Sequence, residues 1–508
     1  MHLYDLTVYD IIARNAHLYP DKVAWLGVEE KRQMTFGAYK EAVDRMAAGL
    51  AAAGFITGDR IGVIAKNCLA YVVLYGAAAA LGGIMVPINW RLSADEMAYN
   101  LNDGQCRFVF ADHEDPDATA AAQAKMPAET VFYNLEPGAG RWADLPEAAL
   151  PPGGLPQVAA DDGWVIIHTA AVTGRPRGAL LSHRNMLCAH VQVMHPIGLN
   201  SADVHLSPLP FFHIAGLCMT FCSFHAGAMN VVMRKFDPAM AAQVIADHKA
   251  SVLFAFAPMM QMLLAHVDQS GTDIRSLRAV LGIDTPEVID RYEKITGGAF
   301  YSMFGQTETA MVATMSPYRE RPGSAGRPIP LVDIQLVDEE DRPVPAGQAG
   351  EIVIRGPMVF KGYWRLDAEN AHTFRKGWHH TGDMGRFDAD GYLWYVARKA
   401  EKELIKPGGE NVYPAEVETV ILEHPAVAAV VVFGVPDPKW TEGIKAVCRL
   451  KAGFTLTARE LIEFVGARIA RYKKPQYVAF AEDLPMAADG SVDRAKVKAL
   501  FGGRQKVS

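Results

Sequence analysis

Six apolar runs of strand length, DRIGVIAK, GGIMVPIN, CRFVFAD, GWVIIHT, ASVLFAFAP and RAVLGI, recur between segments of helical pattern from Asp59 to Ile283. A strand that is apolar along its whole length needs cover on both faces. Strands that alternate with helices meet that need as parallel sheets between helical layers, so the run pattern restricts the chain to an α/β fold. Near Gly326 the texture changes, and VDIQLVDEEDRPVPAGQAGEIVIRGP reads as the short strands and turns of a β-rich subdomain. After the charged VARKAEKELIKPGGENVYP come a strand, AVAAVVVFGVPD, and an amphipathic helix, TARELIEFVGARIA, which predict a small α+β domain. A chain of 508 residues exceeds what one core organises. The expected division is 1–397, a hinge at 398–403, and 404–508.

Several function classes are disfavoured. The net charge of -7 lacks the basic signature of non-specific nucleic-acid binding. The run Tyr71 to Ile88 approaches spanning length, but its Ala, Gly and Pro content reads as a buried helix running into a strand. The N-terminal stretch shows no signal-peptide pattern, and six scattered cysteines suit buried thiols, so a cytoplasmic setting is expected. His213, Cys218, Cys222 and His225 superficially form a zinc set, yet they stand in an apolar segment without paired spacing and read as core.

Three stretches carry chemistry. HTAAVTGRPRGALLSH (His168 to His183) follows a strand with a glycine-containing turn, where backbone N–H groups, the hydroxyls of Thr169 and Thr173, Gly174 and the Arg177 guanidinium can meet phosphate. MFGQTET (Met303 to Thr309) brings together Phe304, Gly305, Gln306, Thr307 and Glu308, the parts needed to stack a base, approach a phosphate, donate to it and hold a hard cation. GWHHTGDMG places Asp383 in a glycine-flanked turn, suited to accept from ribose hydroxyls.

With GDRIGVIAKN, VPINWRLSADE, PLPFFHIAGL, GEIVIRGPMVFKGYW and KPGGENVYPAEVE, these stretches resemble in order and spacing the acyl-adenylate-forming superfamily, in particular its acyl-CoA synthetase and aryl-CoA ligase branch. The resemblance implies a large N-terminal domain of parallel-rich sheets covered by helices plus a β-rich subdomain, then a small mobile C-terminal domain. It implies a ligase in which a carboxylate attacks the α-phosphate of ATP with Mg2+, releasing pyrophosphate, and the thiol of coenzyme A displaces AMP. By the same resemblance Thr307 holds the α-phosphate and Glu308 the metal. Asp383 binds ribose, with Arg398 a second candidate. Phe304 and Gly282 to Asp284 flank adenine. His213 is a gate beside the acyl carboxylate or else a packed histidine. Gly408 and Gly409 line the CoA tunnel, Trp440 borders it or is an ordinary interdomain aromatic, and the hinge is Lys402 or Glu403. The implied partners are a carboxylic acid, ATP and CoA, with a homodimer allowed and no nucleic acid or membrane span. Fatty acid metabolism is the implied setting.

The chain departs from the family pattern in three places. Ala170, Ala171 and Val172 replace Ser, Gly and Thr of the phosphate loop, and Arg177 replaces its lysine, which predicts a weaker first step. Ser491 stands where the family has the lysine that reaches the α-phosphate, leaving Arg494, or Lys496, as the replacement cation. Leu281 and Met303 are bulky where members with large acyl groups have glycine, which favours a short, medium-length or compact cyclic or aryl acid. The competing outcomes are an amide-forming adenylating enzyme and a catalytically impaired protein that binds nucleotide or acyl-CoA.

Overall fold

The computed structural model describes residues 5–112, 114–135, 145, 148–150, 153–169, 175–398, 403–407, 410, 412–438, 440–486 and 492–502. The architecture is α/β and forms two compact units. The first is Met1–Trp90, Leu101–His168 and Gly178–Ala397, and the second is Arg91–Asn100, Thr169–Arg177 and Arg398–Ser508.

All six apolar runs form strands. Arg60–Ile64, Ile84–Ile88, Phe108–Ala111 and Gly163–Thr169 lie in a seven-stranded sheet, where they pair in parallel. Val252–Phe256 and Ala279–Ile283 lie in a nine-stranded sheet, parallel to each other and to Ala299–Phe304. Both sheets end in antiparallel edge pairs, Gly362–Tyr363 beside Arg177–Ser182 in the first, and Thr314–Pro317 with Arg327–Pro328 in the second. The nine-stranded sheet is buried on both faces. Phe254, Leu281, Tyr301 and Met303 enter one core, while Leu253, Val280 and Phe300, one residue out of step, enter the other. Burying each such side chain is worth about 1.5–3 kcal/mol, which is why the runs are apolar without alternation.

The long apolar run divides as its composition predicts. Leu69–Leu81 is a helix with every residue buried, and Gly82 ends it with a φ of 66°, a left-handed value that a Cβ would resist. The strand Ile84–Ile88 follows. No helix among the described residues is long and apolar enough to cross a membrane.

The β-rich segment is a four-stranded sheet in the order Asp333–Val337, Gly350–Arg355, His379–Phe387, Leu393–Arg398. In the second unit, Val427–Asp437 and Thr441–Leu450 form an antiparallel hairpin, and Tyr477–Phe480 pairs in parallel with its second arm. The helices Pro414–Leu422 and Ala458–Gly466 bury Val417, Ile421, Leu461 and Val465 against Ile444, Ala446 and Cys448 of that sheet. Thr457 and Glu460 close the start of the second helix by a reciprocal capping box.

Candidate active site

The strand Ala299–Phe304 delivers the segment Gly305 to Thr309 at its C-terminal end, where ligands of parallel sheets bind. A Cβ at Gly305 would stand 1.9 Å from the Met311 carbonyl oxygen, so only glycine fits. Thr307–Thr309 is a single 3-10 turn, and Ala310 and Met311 after it both have positive φ, 49° and 106°. Two consecutive non-glycine residues in that region mark a turn held by its surroundings. The bonds from Ala310 N–H to Thr307 O (3.0 Å), Met311 N–H to Gln306 O (3.1 Å) and Ala313 N–H to Phe304 O (2.8 Å) hold it.

Asp383 reaches the same place from the β-rich sheet through a bulge. Along the pairing of Gly350–Arg355 with His379–Phe387, Glu351 faces Met384 and Val353 faces His380, so Thr381, Gly382 and Asp383 oppose Ile352 alone. A bulge re-aims a side chain, and Asp383 is buried at 2 % exposure with its carboxylate gripped. The Gln306 amide nitrogen donates to Asp383 Oδ2 and to Thr381 O (3.0 Å), and the Tyr395 hydroxyl donates to Asp383 Oδ1 (3.3 Å). Because that amide nitrogen faces the carboxylate, Gln306 Oε1 is left to accept from His379 Nε2–H (3.3 Å), whose Nδ1 accepts from the Thr373 hydroxyl (3.0 Å).

Glu308 is buried, yet it remains suited to a hard cation. Its backbone oxygen accepts from Phe360 N–H (2.9 Å) and its Oε1 accepts from the Tyr363 hydroxyl (2.8 Å). Carboxylate and hydroxyl oxygens are the ligands a hard cation takes, so the donor set fits Mg2+.

The segment Gly282 to Asp284 continues its own strand at the same end of the sheet. Gly282 has φ 155° and leaves a Cβ no room, 1.9 Å from Ala255 O. Asp284 Oδ1 accepts from Thr285 N–H (2.9 Å), whereas its Oδ2 is buried without a hydrogen-bond partner, and burial raises the carboxyl pKa. Such an oxygen lacks a donor, and an exocyclic amine would supply one. The Phe304 ring lies 6.4 Å from that of Tyr395. Leu281 and Met303 share the buried face with Phe254 and Tyr301. His213 directly precedes the helix Ile214–His225, half-buried, with its ring 5.0 Å from that of Phe212. Cys218 and Cys222 lie fully buried within that helix.

The remaining expected residues belong to the second unit. There the Thr169 hydroxyl donates to Arg177 O (3.4 Å), and Arg398 ends the strand Leu393–Arg398. Glu403 and Arg494 bond each other: Arg494 donates to Glu418 Oε1 (2.6 Å), Glu403 Oε2 (3.1 Å) and Val432 O (2.8 Å). Lys496 meets Asp493 at 3.0 Å from an exposed position. Trp440 is 40 % exposed and its backbone N–H donates to Asp437 Oδ1 (2.8 Å). Thr173, Gly174, Lys402, Gly408, Gly409 and Ser491 lie outside the described residues, as do Ala170, Ala171 and Val172.

Sequence reasoning missed Tyr363, Tyr395, His379 and Glu351. Tyr363 and Glu351 do lie within GEIVIRGPMVFKGYW, a stretch whose spacing is informative, but nothing in it says which side chains turn toward Glu308 or Asp383. Tyr395 stands in no motif.

Two family models match the chain, "AMP-binding enzyme" over residues 12–364 and "AMP-binding enzyme C-terminal domain" over 416–490. Feruloyl-CoA synthase of Amycolatopsis sp is 34% identical over 475 residues, 92% of this chain and 94% of that protein. A solved Rhodopseudomonas palustris protein named for long-chain-fatty-acid CoA ligation is 44% identical, with a TM-score of 0.72 over 78% of this chain and 100% of that one. o-Succinylbenzoate CoA synthetase of Bacillus subtilis, solved as a double mutant with a product analogue, is 28% identical with a TM-score of 0.86, covering 99% of this chain and 100% of that one.

Proposed function

The chain belongs to the AMP-binding enzyme family and is an AMP-forming acid–thiol ligase, and we propose that it activates a compact aryl or cyclic carboxylic acid as its CoA thioester, using the residues assembled around Glu308 and Asp383. The observation that carries the site assignment is the bond from Gln306 to Asp383, which ties the turn bearing Thr307 and Glu308 to the bulge bearing Asp383. In this reading a carboxylate oxygen of the acid attacks the α-phosphorus of ATP and the bond to pyrophosphate breaks. The CoA sulfur then attacks the acyl carbon and the bond to AMP breaks.

Asp383 accepts the ribose hydroxyls, held in place by Gln306 and Tyr395. Asp284 Oδ2 accepts from the adenine amine, and the Thr307 hydroxyl donates to the α-phosphate. Glu308 holds Mg2+, which when bound with ATP offsets phosphate charge. To reach a phosphate Arg494 must shed bonds to both Glu403 and Glu418, and the exposed Lys496 only one, to Asp493, so of the two cations near Ser491 we assign the transition-state contact to Lys496. Arg177 faces the departing pyrophosphate, His213 gates the acid, and Trp440 with Gly408 and Gly409 lines the thiol path. The division at 398–403 and a hinge at Lys402 or Glu403 belong to the same proposal, as does a cytoplasmic setting, which suits six free thiols.

Two observations support a compact acid. Leu281 and Met303 are bulky and buried in one core, which in this reading is the floor of the acyl pocket, and the acids named for the Amycolatopsis and Bacillus proteins, ferulate and o-succinylbenzoate, are aromatic. The test is AMP and pyrophosphate release with Mg-ATP, CoA and a panel from acetate through benzoate, ferulate and palmitate. CoA-dependent AMP release, fastest with a ring-bearing acid, is expected. A preference for palmitate would overturn the acid class, and AMP release that needs an amine instead of CoA would overturn the acceptor.

A further inference from the structure

The bulge at Thr381 to Asp383 leaves backbone groups that the sheet ladder does not serve. Gly382 takes the left-handed φ of 67°, and its N–H donates to Glu351 Oε1 at 2.9 Å. The other oxygen of the same carboxylate, Oε2, accepts from Arg375 Nη2 (3.3 Å) and lies 3.2 Å from His380 Nδ1. Arg375 is fixed in turn by Asp341, with Nε to Oδ2 at 3.0 Å and Nη2 to Oδ1 at 3.1 Å, and by the His372 carbonyl (3.0 Å). Glu351 is 3 % exposed and lies across the strand pair from the bulge.

Burying a carboxylate is costly unless its charge is matched and its lone pairs are filled, and a hydrophobic residue would serve the sheet as well or better. The metal-like grouping of Asp341, Glu351 and His380, whose ligating atoms lie within 4.8 Å of one another, already has its cation in the Arg375 guanidinium, which donates to both carboxylates. The peptide held by Glu351 joins Thr381 to Gly382, and the next one, whose N–H is that of Asp383, is held by the Thr381 hydroxyl (3.1 Å), which donates to Ile352 O (2.6 Å).

We propose that Glu351, braced by Arg375, Asp341 and His380, is a positioning residue for ribose recognition: it fixes the bulge so that Asp383 presents its carboxylate to the sugar hydroxyls of the nucleotide. The inference rests on the proposed ribose role of Asp383. A loosened bulge lets Asp383 wander, and the contacts that fade first are those to the sugar, whereas those to base and phosphate come from other strands.

The test compares AMP with 2′,3′-dideoxy-AMP by calorimetry on the full chain, which requires no knowledge of the acid. The wild-type protein is expected to favour AMP by about tenfold or more, the worth of hydrogen bonds to a charged group. Glu351→Gln, which turns an amide N–H toward either Gly382 N–H or Arg375, is expected to abolish that preference while binding of the dideoxy nucleotide changes less than twofold. Arg375→Lys, a milder loss of bracing from a partly exposed position, is expected to lower the preference in the same direction and serves alone if Glu351→Gln does not fold. A preference unchanged in the folded variants would overturn this inference and leave the ribose role of Asp383 intact. A wild-type protein that binds both nucleotides equally would overturn that role and this inference with it.

Discussion

Buried histidines in the first unit, His183, His190 and His205, with the half-buried His225, make the fold sensitive to mild acid. His183 and His205 are 0 % and 2 % exposed, and burial pushes the pKa of each down from the usual 6.5 to about 4. His183 Nδ1 accepts from Val8 N–H (3.3 Å), so a proton on that nitrogen would face a donor. His205 Nδ1 bonds Asn230 Oδ1 (2.9 Å) and already carries its hydrogen. Between pH 6.5 and 4 the unfolded chain takes up protons that the folded one refuses, so this contribution to stability is complete above pH 6.5, falls through the window, and is gone below it. At ~1.36 kcal/mol per pH unit, each histidine costs about 2 kcal/mol at pH 5 relative to neutrality. About 4 kcal/mol for the pair is a large part of the 5–15 kcal/mol that holds typical domains folded. Urea unfolding at pH 7.5 and pH 5.0 measures the difference. His205→Asn keeps a donor toward Asn230 without titrating there, and is expected to lower it by about 2 kcal/mol. Equal stability at the two pH values, or a His205→Asn variant with the full wild-type difference, would refute the reasoning.

Other expectations concern the site. Tyr363→Phe removes one hydroxyl from Glu308 without changing the packing, and is expected to raise the Mg2+ concentration for half-maximal pyrophosphate release about tenfold; an unchanged metal requirement would show that the bond is incidental. Lys496→Ala is expected to slow adenylation by about 10²-fold or more at unchanged melting temperature. Arg494→Ala is expected instead to cost about 1 kcal/mol of stability, since that side chain is partly exposed and serves Glu403 and Glu418; stopped-flow adenylation beside thermal melts separates the two. Met303→Ala is expected to raise kcat/KM for palmitate relative to ferulate about tenfold, whereas an unchanged ratio would remove Met303 from the acyl pocket.

The strands were legible because burial on both faces writes itself as continuous apolar sequence, and the segments that became Ile84–Ile88 and Val252–Phe256 carry no other signal. The turn around Thr307 was legible because glycine, hydroxyl and carboxylate are consecutive. What sequence could not yield is the second ring of residues. Tyr363 meets Glu308 from the edge strand of a different sheet, and Tyr395 meets Asp383 only once its strand lies beside the bulge. Glu351 looked like an ordinary strand residue because a bulge on the neighbouring strand, invisible in either stretch alone, creates the N–H it serves. Arg494, read from its proximity to Ser491, proved to be tied to carboxylates distant in sequence.

The bond between Glu308 and Tyr363 has a further consequence, since Glu308 follows a strand of the nine-stranded sheet while Tyr363 belongs to the edge strand of the seven-stranded one. The proposed cation ligand therefore sits where the two sheets meet, and is complete only when both have found their registers. A nucleotide with its metal selects molecules in which that seam is shut and adds its binding free energy to them alone. If Glu308 holds the metal, chains in which either sheet is misassembled are expected to gain no protection from Mg-ATP, so ligand protection during proteolysis would count finished molecules.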